Sequence, residues 1–125
     1  MMLVKTYLAP SGIHGIGIFA GEPIAAGTKI WAFMEGLDPV YDAALLTTAP
    51  EPIRSFLTRY TYPHHREPGK IILDGDHGRF MNHSPTPNTD FRMMHADAGY
   101  ALNDIAEGTE LTCNYHEFDP GFVLG

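Results

Sequence analysis

The chain predicts a mainly β fold of short strands and tight turns, interrupted by one small helical insert, and three observations support this. Glycine and proline number 13 and 10 in 125 residues, above the ~12% of an average chain. They separate short runs of β-branched and aromatic residues. A helical apolar period is clear in one stretch only. At 125 residues and 13.8 kDa, the chain has the size of a single domain, residues 1–125, with room for one core.

The elements follow in order. Leu3 to Tyr7 alternates apolar and polar residues as a strand does, and Pro10, Ser11 and Gly12 break it, with Gly15, Gly17 and Gly21 close behind. Thr28 to Phe33 is rich in β-branched and aromatic residues and predicts a second strand ending near Gly36. Ile53, Phe56, Leu57 and Tyr60 fall at i, i+3, i+4 and i+7. They mark one face of a helix that starts near Pro50 or Pro52 and is stopped by Pro63. A shorter turn of helix is expected over Asp42 to Thr48. Ile71 to Leu73, Phe91 to Met94, Tyr100 to Asn103 and Glu110 to Cys113 complete about six strands, each bounded by Gly, Asp, Pro or Asn. One echo stands out: Ile24 to Ile30 reads IAAGTKI and Ile105 to Leu111 reads IAEGTEL. Two copies are too few for a solenoid and read as one turn type used twice.

Composition narrows the function classes. With 44% hydrophobic and 18% charged residues, the chain is a folding sequence rather than a disordered one. Its net charge of -7 is uneven, with 4 basic and 10 acidic groups over residues 63–125 against 4 and 5 before them. Such a surface repels phosphate backbones, so direct nucleic-acid binding is not expected and a basic protein partner is. No apolar run approaches the ~18 residues of a membrane span and no secretory signal is present, so a cytoplasmic or nuclear location, not a secreted one, is expected. The single Cys113 excludes an internal disulfide and a cysteine-based zinc cluster. The seven histidines show no zinc-ligand spacing, so no metal is expected.

Three segments carry candidate chemistry. In SGIHGIGIFA, Ser11 to Ala20, Gly15 and Gly17 flank Ile16, so a ligand could approach the backbone without meeting a Cβ. RFMNHSPTPN, Arg79 to Asn88, offers amide and imidazole groups in a loop stiffened by Pro85 and Pro87. ALNDIAEGTELTCNY, Ala101 to Tyr115, runs strand, turn, strand and ends on a tyrosine. Each alone fits an ordinary turn, surface loop or packing residue.

Together and in this order they resemble the SET domain of protein lysine methyltransferases, specifically a small, SET-only member of viral or bacterial type. The resemblance lies in the HGIG of His14 to Gly17, the FMEG of Phe33 to Gly36, where the family usually has tyrosine first, the RFMNHSPTPN run and the IAEGTELTCNY run. It spans the chain from about Val4 to Phe118.

What the resemblance implies is a β-clip fold of small sheets whose C-terminal segment passes through an earlier loop as a pseudoknot, with residues 38–68 as a variable insert. It implies S-adenosyl-L-methionine as cofactor, held by the backbone of Gly15, Ile16 and Gly17 and by Asn82 and His83. Tyr62 is a further cofactor candidate from the insert, and Phe118 is expected to cover the adenine. Tyr115 would be the active-site tyrosine, and the substrate a lysine in a basic protein or histone-like tail.

The chemistry makes its own demands. Free lysine has a pKa near ~10.4, so only about 0.4% is neutral at pH 8. A narrow apolar channel beside a sulfonium discharges it by desolvation and by like charge. Aligning sulfur, methyl and nitrogen supplies roughly 7 kcal/mol or more. A tyrosine can wall such a channel and hydrogen-bond within it.

The sequence departs from the family in three places. Pro85 stands where cysteine is usual, Asn114 where aspartate is usual, and Cys113 where an aromatic ring influences the number of methyl groups added. No cysteine-rich segment of the kind that often follows the domain is expected. Part of the lysine channel is therefore expected from residues 116–125, a second subunit or the substrate, and a homodimer fits so small a member. The alternative function is a catalytically silent SET module that binds peptide or cofactor; a plain β-rich interaction domain would require every motif match to be accidental.

Overall fold

The computed structural model describes residues 1–122. In chain order its elements are β1 (Thr6–Pro10), β2 (Ile16–Ala20), β3 (Lys29–Ala32), β4 (Val40–Asp42), α1 (Leu45–Thr48), α2 (Ile53–Tyr60), β5 (Thr61–Pro63), β6 (Lys70–Leu73), β7 (Asn82–His83), β8 (Thr89–Asp90), β9 (Ala98–Ala101) and β10 (Thr112–Cys113), with 3-10 turns at His77–Phe80, Met94–Ala96 and Tyr115–Glu117. Three sheets are antiparallel, in the orders β1-β2, β3-β9-β8 and β4-β6-β5, while β7 and β10 pair in parallel. Short sheets with few helices agree with the mainly β, SET-type expectation.

The N-terminal ribbon pairs Thr6 with Ala20 through to Pro10 with Ile16. Its strand begins three residues later than the alternation at Leu3 predicts, and Pro10 ends the strand rather than preventing it. Leu3 instead donates its N–H to the Ile30 carbonyl at 2.7 Å, outside the ribbon.

The largest difference from expectation concerns Phe91 to Met94. The strand is the dipeptide Thr89–Asp90, and the chain then turns into the 3-10 segment Met94–Ala96. The Phe91 N–H is taken by the Glu117 carboxylate at 3.2 Å instead of by a sheet ladder. Its ring is buried edge-on against Trp31, with centroids 5.5 Å apart. Apolar residues here serve the core and not a strand face. The strands β4 and β5 are too short to show a period, yet they flank β6, whose Ile71, Ile72 and Leu73 are all buried.

The predicted helix over Ile53 to Tyr60 is present with those bounds. Its apolar stripe does not enter the core, however: Leu57 is 6% exposed, whereas Ile53 is 52% and Phe56 38%. Phe56 and Tyr60 pack on one another at 5.0 Å, and Tyr60 packs on Phe80 at 5.5 Å. The face of the helix that lines a cleft is instead the polar one, Arg54, Ser55, Thr58 and Arg59, with Tyr60 beside it.

The echo proves to be a structural repeat. Gly27 and Gly108 have φ of +83° and +85°, the left-handed region open to glycine. Thr28 N–H bonds the Ala25 carbonyl and Thr109 N–H the Ala106 carbonyl, both at 3.1 Å. Gly27 and Ala101 exchange bonds with their partners as Gly108 and Ala20 do, and the copies meet at the Ile24–Ile105 bridge.

The second copy delivers residues 109–113 into the interlock that defines the fold. On one side Leu111 N–H bonds the Ile18 carbonyl at 2.8 Å, and Ala20 N–H bonds the Thr109 carbonyl at 2.9 Å. On the other, Asn88 Nδ2 donates to the Glu110 carbonyl and Asn88 Oδ1 accepts from Thr112 N–H, both at 2.9 Å. Thr89 Oγ1 donates to the Thr112 carbonyl at 2.7 Å, and Ser84 N–H donates to the Cys113 carbonyl at 2.9 Å. The segment is thus enclosed between β2 and residues 82–89. Around it Ile18, Ile30, Trp31 and Leu111 are essentially inaccessible. Among the described residues no helix is long and apolar enough to cross a membrane.

Candidate active site

Two cavities meet at Tyr115. One is an open cleft of about 1180 Å³, lined by the turn at His14, Gly15 and Ile16, by α2 and by Asn82 and His83. The other is narrow, about 110 Å³, and lined by aromatic rings, among them Trp31, Tyr62, Phe91 and Phe118, together with the charged Arg59, Asp74, Arg79 and Asp119. Tyr115 lines both. It follows β10, and its 3-10 turn is capped by Asn114, whose Oδ1 accepts from His116 N–H at 3.0 Å. An asparagine does this as an aspartate would. The Tyr115 hydroxyl donates to the Met81 carbonyl at 2.6 Å. Burial, helped by the Cys113 thiol, raises its pKa and keeps it protonated.

His83 Nδ1 accepts the Tyr115 N–H at 3.1 Å, which requires a neutral ring on that nitrogen. Burial, with His116 nearby, lowers the His83 pKa and favours that form. Phe122 packs on His83 at 5.2 Å and on Tyr115 at 4.8 Å. The residue that covers this side of the cleft is therefore Phe122. Phe118, expected over the adenine, packs instead on Tyr62 at 5.4 Å and Phe91 at 5.7 Å, and it lines the narrow cavity. Tyr62 likewise faces the narrow cavity and not the cleft.

Asn82 works through the turn. Its Nδ2 lies 3.1 Å from the His14 carbonyl, 3.1 Å from Ser11 Oγ and 3.0 Å from Glu110 Oε2. Ser11 Oγ donates to the same carboxylate and accepts the Ile13 N–H at 2.9 Å. Glu110 is thus the hub of the site, which a reading of GTEL as turn and strand did not reveal. Gly17 is buried and does not reach the cleft; a Cβ there would lie 2.9 Å from Glu110 Cδ. It makes room for Glu110, whereas Gly15 (φ +50°) and Ile16 form the exposed lip.

The sequence reading also missed three arginines. Arg54, Arg59 and Arg79 line the cleft; Arg79 stands over the Phe56 ring at 5.9 Å and Arg59 over Tyr60 at 5.5 Å. Arg79 opens the RFMNHS run and could have been singled out there. The site offers backbone at a glycine lip, cations for a carboxylate and rings for a planar base. These donors fit S-adenosyl-L-methionine. Cys113, buried with its thiol pKa raised by desolvation, lines the narrow cavity. The part of the channel expected from the C-terminus falls partly on residues 123–125, outside the described residues.

A family model for the SET domain matches residues 15–116. The chain belongs to the SET-domain family. No curated protein matches its sequence. Among solved structures, the Neurospora SET domain protein DIM-5, a histone lysine methyltransferase, is 23% identical at a TM-score of 0.63, over 91% of this chain and 53% of its own. Chaetomium thermophilum Polycomb Repressive Complex 2 bound to S-adenosylmethionine is 20% identical at 0.67, over 94% of this chain and 16% of its own. A Plasmodium falciparum protein assigned as a histone methyltransferase is 22% identical at 0.59, over 91% of this chain and 95% of its own. The chain thus spans about a sixth of the Polycomb chain and about half of DIM-5. At these identities the likeness is one of fold.

Proposed function

We propose that this chain is an S-adenosyl-L-methionine-dependent protein lysine N-methyltransferase acting on a basic protein or peptide. The observation that carries the reading is the position of Tyr115, in the shared wall of an open polar cleft and a narrow aromatic cavity. A two-substrate transfer needs two such sites joined at one point. DIM-5 is by name a histone lysine methyltransferase, and one Polycomb structure holds S-adenosylmethionine; both support the reading by analogy of fold.

In this reading the cleft holds the cofactor. Gly15 and Ile16 present backbone to it, Arg59 and Arg79 face its carboxylate, and His83 and Phe122 flank its adenine. The cofactor supplies an electrophilic methyl group on a sulfonium. The narrow cavity takes the lysine side chain: its aromatic walls strip water from the amine, and Tyr115, anchored on the Met81 carbonyl, sets the position of the nitrogen. The acidic surface attracts the basic segment around that lysine. A homodimer remains part of the proposal, to be tested by sedimentation equilibrium.

The test is calorimetric titration with S-adenosylmethionine and S-adenosylhomocysteine, followed by transfer of labelled methyl to a library of lysine peptides. Micromolar cofactor binding with label on lysine is the expected result. Binding without transfer to any peptide would mean a silent module, and no binding at millimolar cofactor would remove the cleft from this role.

A further inference from the structure

The narrow cavity contains a charge that the methyl-transfer reading leaves unused. Asp74, directly after β6, is 8% exposed and lines the cavity together with Tyr62, Tyr115 and Phe118. Its Oδ1 accepts the Tyr62 hydroxyl at 2.7 Å, and this is the one hydrogen bond its side chain makes among the described residues. The same cavity is lined by Trp31, whose buried Nε1–H has no partner among them. Such unmet polar groups in an aromatic cavity point to a polar occupant.

The other charged groups lining the cavity are Arg59, Arg79 and Asp119. Tyr62, Asp38, Asp76, the Met1 ammonium and Cys113 act on Asp74 electrostatically. Burial, reinforced by Asp38 and Asp76, outweighs the ammonium and the Tyr62 hydrogen bond and raises the Asp74 carboxyl to about 6. A carboxyl so poised is ionised at neutral pH and still a competent base.

We propose that Asp74 is the group that takes the proton from the substrate ammonium inside the narrow cavity. This rests on the methyltransferase reading. An N–H bond of the ammonium breaks as an O–H bond forms on an Asp74 oxygen. The nitrogen keeps the electron pair, leaving a neutral amine beside a neutral carboxylic acid, which returns its proton to water when product leaves. Tyr62, through its hydroxyl, holds the acceptor in place.

The experiment measures kcat at saturating peptide from pH 6 to 10 for the wild type, Asp74→Asn and Tyr62→Phe. The wild type should be level above about pH 7, where the carboxylate is formed. Asp74→Asn should lose about 10²-fold or more at pH 7. Its rate should then climb about tenfold per pH unit up to the pKa of the bound amine, which desolvation and the sulfonium hold below the free value near ~10.4, because the amine must now lose its proton unaided. Tyr62→Phe removes one donor and should move the acid limb to higher pH; it carries the test if Asp74→Asn does not fold. Independently of activity, the infrared spectrum of the protein alone should show a carboxylic-acid band that grows as pH falls through about 6 and is missing in Asp74→Asn. Wild-type kcat and pH profile in Asp74→Asn, or no such band near that pH, would overturn the role of Asp74. A wild type that methylates no lysine peptide would instead overturn the reading beneath it.

Discussion

In the proposed function Tyr115 has two separable jobs, and a single substitution divides them. Tyr115→Phe loses the bond to the Met81 carbonyl, at about 1 kcal/mol of stability, and keeps the ring. We expect a folded protein whose cofactor affinity is nearly unchanged and whose kcat falls about 10²-fold through loss of positioning; full activity would remove Tyr115 from the site. Asn82→Ala strips the Ser11–Ile16 turn and Glu110 of a shared donor. It should cost about 2 kcal/mol in urea denaturation and weaken cofactor binding in calorimetry in parallel, since the lip it holds is the proposed binding surface. Asp74 makes a prediction on stability alone. Its folded pKa of about 6 lies above the unfolded value near ~3.9, so the folded state binds the proton more tightly. The penalty on folding, about 3 kcal/mol, is therefore present above pH 6, is relieved as pH falls through the window to about pH 4, and is absent below it. Urea midpoints of Asp74→Asn should exceed those of the wild type at pH 8, and the gap should close toward pH 4.

At the scale of elements, the turns and α2 were legible for different reasons. The two IAxGT turns show in sequence because a left-handed residue needs glycine and the turn closes locally. Their matched geometry predicts matched costs. Gly27→Ala and Gly108→Ala should each destabilise by about 1 kcal/mol, and a large disparity in denaturation midpoints would mean that the copies are not equivalent. The period of α2 also showed, but a period says which residues share a face and not what covers it. Ile53 and Phe56 are left exposed rather than in the core, while Arg54, Ser55, Thr58 and Arg59 of the same helix line the cleft. Phe91 to Met94 was misread for the same reason: an apolar run records burial, and here the Glu117 carboxylate and the Trp31 ring, distant in sequence, decided the backbone.

For the whole molecule, the net charge of -7 predicts that attraction of a basic peptide is long-ranged. Raising salt from 50 to 500 mM should raise peptide KM several-fold with little change in kcat, as the Debye length shrinks from about 14 to about 4 Å; salt-independent KM would place recognition in short contacts alone.

Composition, turn chemistry and the three motifs determined by themselves that the fold is mainly β and which family the chain resembles, and the resemblance pointed to Gly15, Ile16, Asn82, His83 and Tyr115, which the structure places along one cleft. These are local facts, written in residue type and spacing. Only the tertiary structure decided that Gly17 makes room for Glu110, that Phe122 rather than Phe118 flanks the cleft, that Tyr62 faces the narrow cavity, and that Asp74 is buried beside it. Tyr62 and Asp74 are brought together by the pairing of β5 with β6, and the first two depend on the interlock of residues 109–113 with residues 82–89. That closure joins segments far apart in the chain, and its partners carry no mark of one another until the backbone has passed through.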